Sequence, residues 1–198
     1  MIKKSSNTKV LFLGDKDCSL ISWLEDNGEK ILQTTEKISP DFILLNNIDI
    51  IVSYGYRHIL KKNILDLLPN KFFNLHISYL PWNRGADPNF WSFFDQTPKG
   101  VSIHLIDEGI DTGDIISQRE IEFDLSNETL ASSYIKLHSS LKELFIENWY
   151  DIKNESYSRV KQFGQGSAHK LQDKKSLSFA FKDSWDTPVN VLNQNKKN

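Results

Sequence analysis

Two polar residues stand two positions apart in the run FFNLHIS, the amide Asn74 and the imidazole His76, and a carboxylate, Asp111, follows in the loop Gly109-Ile110-Asp111-Thr112-Gly113. In an extended strand alternate side chains point to the same side, so Asn74 and His76 face one pocket while Leu75 turns into the core. An ordinary imidazole titrates at about 6.5 and so exchanges protons near neutral pH. A carboxamide and an imidazole can both donate to a developing oxyanion. A carboxylate beside the imidazole orients it and favours its charged form. Brought together, the three residues make an acid/base and oxyanion site, and on that basis the chain reads as an enzyme. Taken singly, each has an ordinary use as a turn former or as a satisfied or solvated polar group. The weight lies on their combination.

The elements that must position these groups follow from the apolar pattern. Residues 10–14 (VLFLG) read as a buried strand ending in a turn, and residues 19–27 as a helix with Leu20, Trp23 and Leu24 on one side. Residues 30–35 suggest a second strand and residues 39–46 a short helical connection. Residues 49–55 (DIIVSYG) are a continuous apolar run, as in an interior parallel strand. Such strands alternating with helices predict an α/β fold, a doubly wound, mostly parallel sheet with helices on both faces. Ligands in such sheets bind beyond the carboxyl ends of the strands. The strand ends at Ser53-Tyr54-Gly55 and at Asn74 and His76 should therefore converge on one crevice.

Residues 78–88 form an irregular loop with Pro81, Gly85 and Pro88. Ser78, Trp82 and Arg84 in it are candidate substrate contacts. Trp82 could stack on a base or sugar. Arg84 could meet an anionic substrate, hold the loop, or pair with a nearby carboxylate. Residues 89–95 read as a short helix with Trp91 in the core. Residues 101–106 (VSIHLI) are a strand on which His104 reads as a satisfied histidine without chemistry, and residues 114–123 a strand near a sheet edge. Ser126 is a candidate N-cap for a helix carrying Leu130, Tyr134, Leu137, Leu141, Leu144 and Phe145 at helical spacing. His138 falls outside that stripe and is expected in solvent. The expected organisation is a catalytic domain over residues 1–155 and a small, loop-rich C-terminal extension over 156–192 packed on it. Residues 193–198 are expected to be a disordered tail. In the extension the patch Leu177, Phe179 and Phe181 could add a strand.

At 198 residues a single domain is the default. A net charge of −2 gives no nucleic-acid footprint and counts against a tRNA acceptor. The N-terminal run MIKKSSNTKVLFLGDKD has only a short apolar stretch before Asp15, and no long apolar span follows. No membrane partner and a cytoplasmic location are therefore expected. The single cysteine, Cys18, excludes an internal disulfide and a cysteine-rich metal site; the scattered histidines show no ligand spacing, so no metal is expected.

The segment N-x-H-x-S-x-L-P-x-x-R-G-x-x-P starting at Asn74, followed by I-D-x-G-I-D-T-G-D starting at Ile106, resembles the 10-formyltetrahydrofolate-dependent formyltransferase family. The resemblance spans about residues 50–123. It implies a Rossmann-like formyltransferase fold, 10-formyltetrahydrofolate as co-substrate, and Asn74, His76 and Asp111 as the catalytic set. It also implies that His58, Ile59 and Leu60, with Ile106, Asp107, Glu108, Gly109 and Ile110, line the pteridine pocket, where the backbone matters more than the side chains. An apolar wall with backbone donors and acceptors suits a flat heterocycle.

Within the family, the stretch HISYLPWNRGADPNFWSFF looks most like nucleotide-sugar N-formyltransferases. The turn Gly14-Asp15-Lys16-Asp17-Cys18, with one glycine and two acids, departs from the glycine-rich phosphate loop of the enzymes that formylate glycinamide ribonucleotide. Methionyl-tRNA formyltransferases carry a further C-terminal domain for which this length leaves no room. The expected function is formyl transfer to the amine of a nucleotide-linked amino sugar, of the kind used in polysaccharide biosynthesis. Glycinamide ribonucleotide formyltransferase and formyltetrahydrofolate hydrolase are the alternatives, with a non-catalytic folate- or nucleotide-binding module last. The expected partners are small molecules, with no nucleic acid and no membrane; a homodimer is compatible with the sequence.

Overall fold

The apolar runs of the first half of the chain become the middle of a six-stranded sheet. The computed structural model describes residues 7–174, 177 and 184–192. In chain order the elements are β1 (Lys9–Gly14), α1 (Ser19–Asp26), β2 (Lys30–Thr34), α2 (Pro40–Leu45), β3 (Ile50–Tyr54), α3 (Lys62–Leu65) and β4 (Phe72–His76). They continue with β5 (Arg84–Gly85), α4 (Pro88–Phe94), β6 (Gly100–Leu105), β7 (Ile115–Glu120), α5 (Leu130–Asn154), β8 (Ala168–His169) and α6 (Val189–Leu192). The sheet order is β2-β1-β3-β4-β6-β7, parallel from β2 to β4 and antiparallel from β4 through β6 to β7. The two-residue strands β5 and β8 pair with each other apart from it.

Strand β1 is buried on both sides, which explains its unbroken apolar run. Val10 and Phe12 pack with Leu20 and Leu24 of α1 and with Leu137, Leu141 and Phe145 of α5. Leu11 and Leu13 face the other way, toward Ile43 of α2 and Ile64 of α3. Strand β4 shows the same alternation: Phe73 and Leu75 join the α1/α5 side and Phe72 the α2/α3 side. Asn74 and His76 are therefore in phase with Phe72.

Two expectations about the long helix are corrected. Its N-cap is Thr129 rather than Ser126: the Thr129 hydroxyl accepts from Ser132 N at 3.1 Å, and Ser132 Oγ accepts from Thr129 N at 2.9 Å. Ser126 instead hydrogen-bonds Asp124 in the preceding turn, at 2.6 Å. Tyr134 leaves the buried stripe and is exposed, whereas Leu130, Leu137, Leu141, Leu144 and Phe145 are buried. The later segment is tied back at several points. Val160 bridges Ile115, β8 pairs with β5, Pro188 bridges Thr129, and Val189 and Leu192 pack with Phe90, Phe93, Phe94 and Leu130. Leu177 touches that cluster, while Phe179, Phe181 and residues 193–198 lie outside the described residues. Among the described residues no helix is long and apolar enough to cross a membrane.

Candidate active site

Strand pairing assembles the polar centre. Asn74 lies beside Ser53 of β3 on one side and opposite His104 of β6 on the other. Asp111 arrives on the loop between β6 and β7, with a left-handed backbone at φ 52°. The loop is pressed against the end of β6: a Cβ on Gly113 would lie 1.9 Å from the Leu105 carbonyl oxygen, so only glycine permits the approach. Gln162 fixes the loop from outside, its carboxamide N–H groups donating to the carbonyls of Asp111 and Gly113, both at 2.8 Å.

Four side chains then meet. Asn74 Nδ2 donates to Asp111 Oδ1 at 3.0 Å and lies 3.2 Å from His104 Nε2. His104 Nδ1 donates to the Leu105 carbonyl at 2.7 Å, so its Nε2 carries the lone pair that receives the second hydrogen of Asn74. Asp111 Oδ2 accepts from Gly85 N at 2.8 Å and lies 3.7 Å from His76 Nε2. His76 Nε2 donates to the Asn83 carbonyl at 3.2 Å, which assigns the lone pair of the neutral ring to Nδ1. Neither Asn74 Oδ1 nor His76 Nδ1 has a hydrogen-bond partner among the described residues, and neither is sealed from solvent.

At this centre Asp111 favours the charged form of His76, as expected, but burial acts against it. Burial pushes the His76 pKa down, outweighing the opposite pull of Asp111, and His104 adds to the lowering. The neutral imidazole is thus the resting form, not the imidazolium. For Asp111, burial opposes ionisation, but His76 and the Gly85 N–H outweigh it and hold the carboxyl below the usual range. The centre rests as a carboxylate beside a neutral base.

These groups line a crevice of about 880 Å³ at the carboxyl ends of β3 and β4, bordered by Ser53, Tyr54 and Gly55. His58, Ile59, Leu60, Ile106, Asp107, Gly109 and Ile110 line it as well. Glu108 is not among the lining residues; its carboxylate lies 3.7 Å from Lys62 Nζ. Ser78, Trp82 and Arg84 do not line it either. Ser78 Oγ donates to the Trp82 carbonyl, and the Ser78 carbonyl accepts from Ser102 Oγ at 2.6 Å. Among the described residues Arg84 meets no carboxylate; its Nε and Nη2 donate to Gln162 Oε1 at 3.0 and 2.7 Å.

Two histidines passed over in the sequence reading belong here. His104 is buried at the centre, satisfied as expected, and it is brought there by its register opposite Asn74. His138, expected in solvent, is half-buried on the crevice wall between the rings of Tyr54 and Tyr134, with Nδ1 hydrogen-bonded to the Tyr54 hydroxyl. Burial, aided by the charge of Lys142, pushes its pKa down to about 4. Among the described residues no group of three or more histidine, cysteine or acidic side chains is placed to hold a metal.

Residues 26–148, more than half the chain, match the formyl transferase family. Among solved structures, the formyltransferase PseJ from Anoxybacillus kamchatkensis, in complex with UDP-4,6-dideoxy-4-formamido-L-AltNAc and tetrahydrofolate, is 44% identical with a TM-score of 0.89. That match covers 93% of this chain and 97% of the other. WlaRD, a sugar 3N-formyltransferase, is 25% identical with a TM-score of 0.69, covering 84% of this chain and 71% of the other. Among curated proteins, the methionyl-tRNA formyltransferase of Finegoldia magna is 39% identical over 50% of this chain and 29% of its own length. That of Agathobacter rectalis is 29% identical over 88% of this chain and 54% of its own length. The chain thus spans about half, or less, of the curated relatives it matches.

Proposed function

The chain belongs to the formyl transferase family, and on that premise we propose that it transfers a formyl group from 10-formyltetrahydrofolate to the amine of a nucleotide-linked amino sugar. The observation that carries this reading is the 44% identity, with near-complete coverage of both chains, to an enzyme whose structure holds a UDP-linked 4-formamido sugar and tetrahydrofolate. The acceptor of that class is a UDP-linked 4-amino-4,6-dideoxy sugar. The proposed setting is polysaccharide synthesis in the cytoplasm.

The residues present fit the folate. Ile59 and Ile110 line the crevice and remain 69% and 59% exposed, apolar surface suited to a flat ring. The N–H groups of residues 56–60 make no backbone hydrogen bond among the described residues, which leaves them for a heterocycle. His58, Ile59, Leu60, Ile106, Asp107, Gly109 and Ile110 would hold it. Bound there, 10-formyltetrahydrofolate supplies a formyl carbon ready for attack by an amine.

The chain's own groups divide the remaining work. Both N–H bonds of Asn74 are engaged by Asp111 and His104, so its Oδ1 is the atom available to accept from the acceptor amine and orient it. This replaces the oxyanion-donor role first read for Asn74. His76 takes the amine proton at Nδ1; Asp111, ionised and 3.7 Å from Nε2, stabilises the imidazolium that results. The new Nδ1–H then faces the negative charge that develops in the crevice, and it would give its proton to the folate nitrogen as the bond from that nitrogen to the formyl carbon breaks.

The test is incubation with 10-formyltetrahydrofolate and, separately, UDP- and dTDP-linked amino sugars, glycinamide ribonucleotide, methionyl-tRNA, or no acceptor. Mass spectrometry should find one added formyl group on an amino sugar only. Tetrahydrofolate release without acceptor would make the protein a hydrolase. Formylation of glycinamide ribonucleotide or of methionyl-tRNA would assign it that substrate instead.

A further inference from the structure

The crevice crosses the carboxyl edge of the sheet and so draws its walls from both faces. Leu60 and Ile106, on the proposed folate side, belong to the α2/α3 face. The opposite wall comes from α5 and the C-terminal segment, with Tyr134 and Trp185. These two rings meet edge-on, centroids 5.0 Å apart and planes at 68°, yet remain 38% and 53% exposed. Trp185 sits in the short 3-10 turn Ser184–Asp186, closed by Thr187 Oγ1 donating to the Ser184 carbonyl at 2.7 Å. Thr187 O accepts from Leu130 N and Glu128 O from Val189 N, both at 3.0 Å, which ties the turn to the start of α5. Two cations line the same crevice: Lys170, and Lys174, whose Nζ lies 3.1 Å from Asp87 Oδ1.

An exposed aromatic pair beside lysines matches a ligand with a flat polar ring and a polyanion. We propose that Tyr134 and Trp185 form the stacking face for the base of the acceptor nucleotide, with Lys170 and Lys174 meeting its diphosphate. This rests on the reading of the acceptor as a nucleotide-linked sugar. The base supplies a π-face, and each ammonium acts as a point charge for phosphate. The acceptor then lies with its nucleotide against α5 and its sugar amine toward Asn74 and His76. Discrimination among nucleotides is a property of a wall that the catalytic motif does not include.

The test is calorimetric titration of the full chain with UDP, uridine and tetrahydrofolate, none of which requires turnover. Trp185→Ala should weaken UDP and uridine alike by about tenfold to a hundredfold. Trp185→Phe should restore most of that loss, and Tyr134→Ala should reproduce a smaller one. Lys170→Ala should weaken UDP and leave uridine unchanged. Tetrahydrofolate affinity and the melting temperature should hold in every variant. The proposal is overturned if wild-type protein fails to bind UDP, if Trp185→Ala binds it unchanged, or if folate affinity falls in step with UDP affinity. Trp185-dependent UDP binding in a protein that formylates no amino sugar would uphold the subsite and remove the proposed reaction. Amino-sugar formylation with UDP affinity indifferent to Trp185 would do the reverse.

Discussion

The end of β4 and the loop that leaves it are both polar, lie within about ten residues of each other, and spend their hydrogen bonds in opposite ways. At the strand end, Asn74 Oδ1 and His76 Nδ1 are left over after every internal bond is made. In the loop three side chains turn their hydrogen bonds inward instead. Asn83 is fully buried, its Nδ2 donating to Thr97 Oγ1 at 2.7 Å and its N to Ser167 Oγ at 2.8 Å. Arg84 is held by Gln162, and Ser78 by the Trp82 carbonyl. The loop acts on the site through its backbone: the Asn83 carbonyl fixes His76, and the Gly85 N–H fixes Asp111. One motif therefore contains both the reacting groups and the jig that holds them: Asn74 and His76 line the crevice, and Ser78, Asn83 and Arg84 do not.

That contrast is most exposed at His76. His76→Ala should lower kcat by about 10³-fold while tetrahydrofolate affinity changes by less than about twofold, because a general base is lost and the folate wall is untouched. A variant with ordinary turnover would erase the difference between strand end and loop. Asp111→Asn comes next, with a loss of about 10²-fold, read in the same assay. Its pH profile sharpens the point. Activity needs neutral His76, whose pKa is lowered by burial, so turnover should hold through neutral pH and fall only toward acid. Asp111 is the carboxylate that pulls this pKa upward, so removing its charge should move the acid limb to still lower pH. A limb that moves upward would mean Asp111 does not face His76 as an anion.

The parts of this arrangement that rest on local pattern could be read from the sequence, and the parts that rest on register could not. Strand β1 and the run DIIVSYG announce burial on both faces by composition alone. Asn74 and His76 share a side because alternation is a property of any strand. His104 joins them only because β6 turns back antiparallel and sets it opposite Asn74, and a nonlocal pairing leaves no mark in VSIHLI. His138 is shielded by Tyr54, a residue 84 positions away. Ser126 and Thr129 are equally good caps by type; pairing of Leu130 N with the Thr187 carbonyl helps settle the start of the helix. The preference of His76 for its neutral form depends on how deeply it is buried, a quantity that residue identities do not carry.

Within the loop, Asn83→Ala should act on stability more than on rate. It strips partners from half-buried Thr97 and Ser167, at a cost of about 1 kcal/mol, visible as a lower melting temperature. The Asn83 carbonyl that holds His76 is retained, so kcat should fall by less than about tenfold, far short of the loss expected at His76 itself.

The smallest effect should come from Arg84, the residue whose charge most invites a substrate role. Its guanidinium is half-buried and both of its hydrogen bonds end on Gln162 Oε1, while the Nε2 of that same carboxamide holds the carbonyls of Asp111 and Gly113. Arg84→Ala therefore removes a brace behind a brace. It should cost about 1 kcal/mol of stability and change kcat by less than about threefold, with KM for the amino-sugar nucleotide unmoved. Gln162→Ala should do more than Arg84→Ala, since it frees the Asp111 loop directly. An Arg84→Ala enzyme with normal stability and a sharply raised acceptor KM would show the guanidinium reaching substrate, and the loop would then belong with the strand end as part of the reacting site.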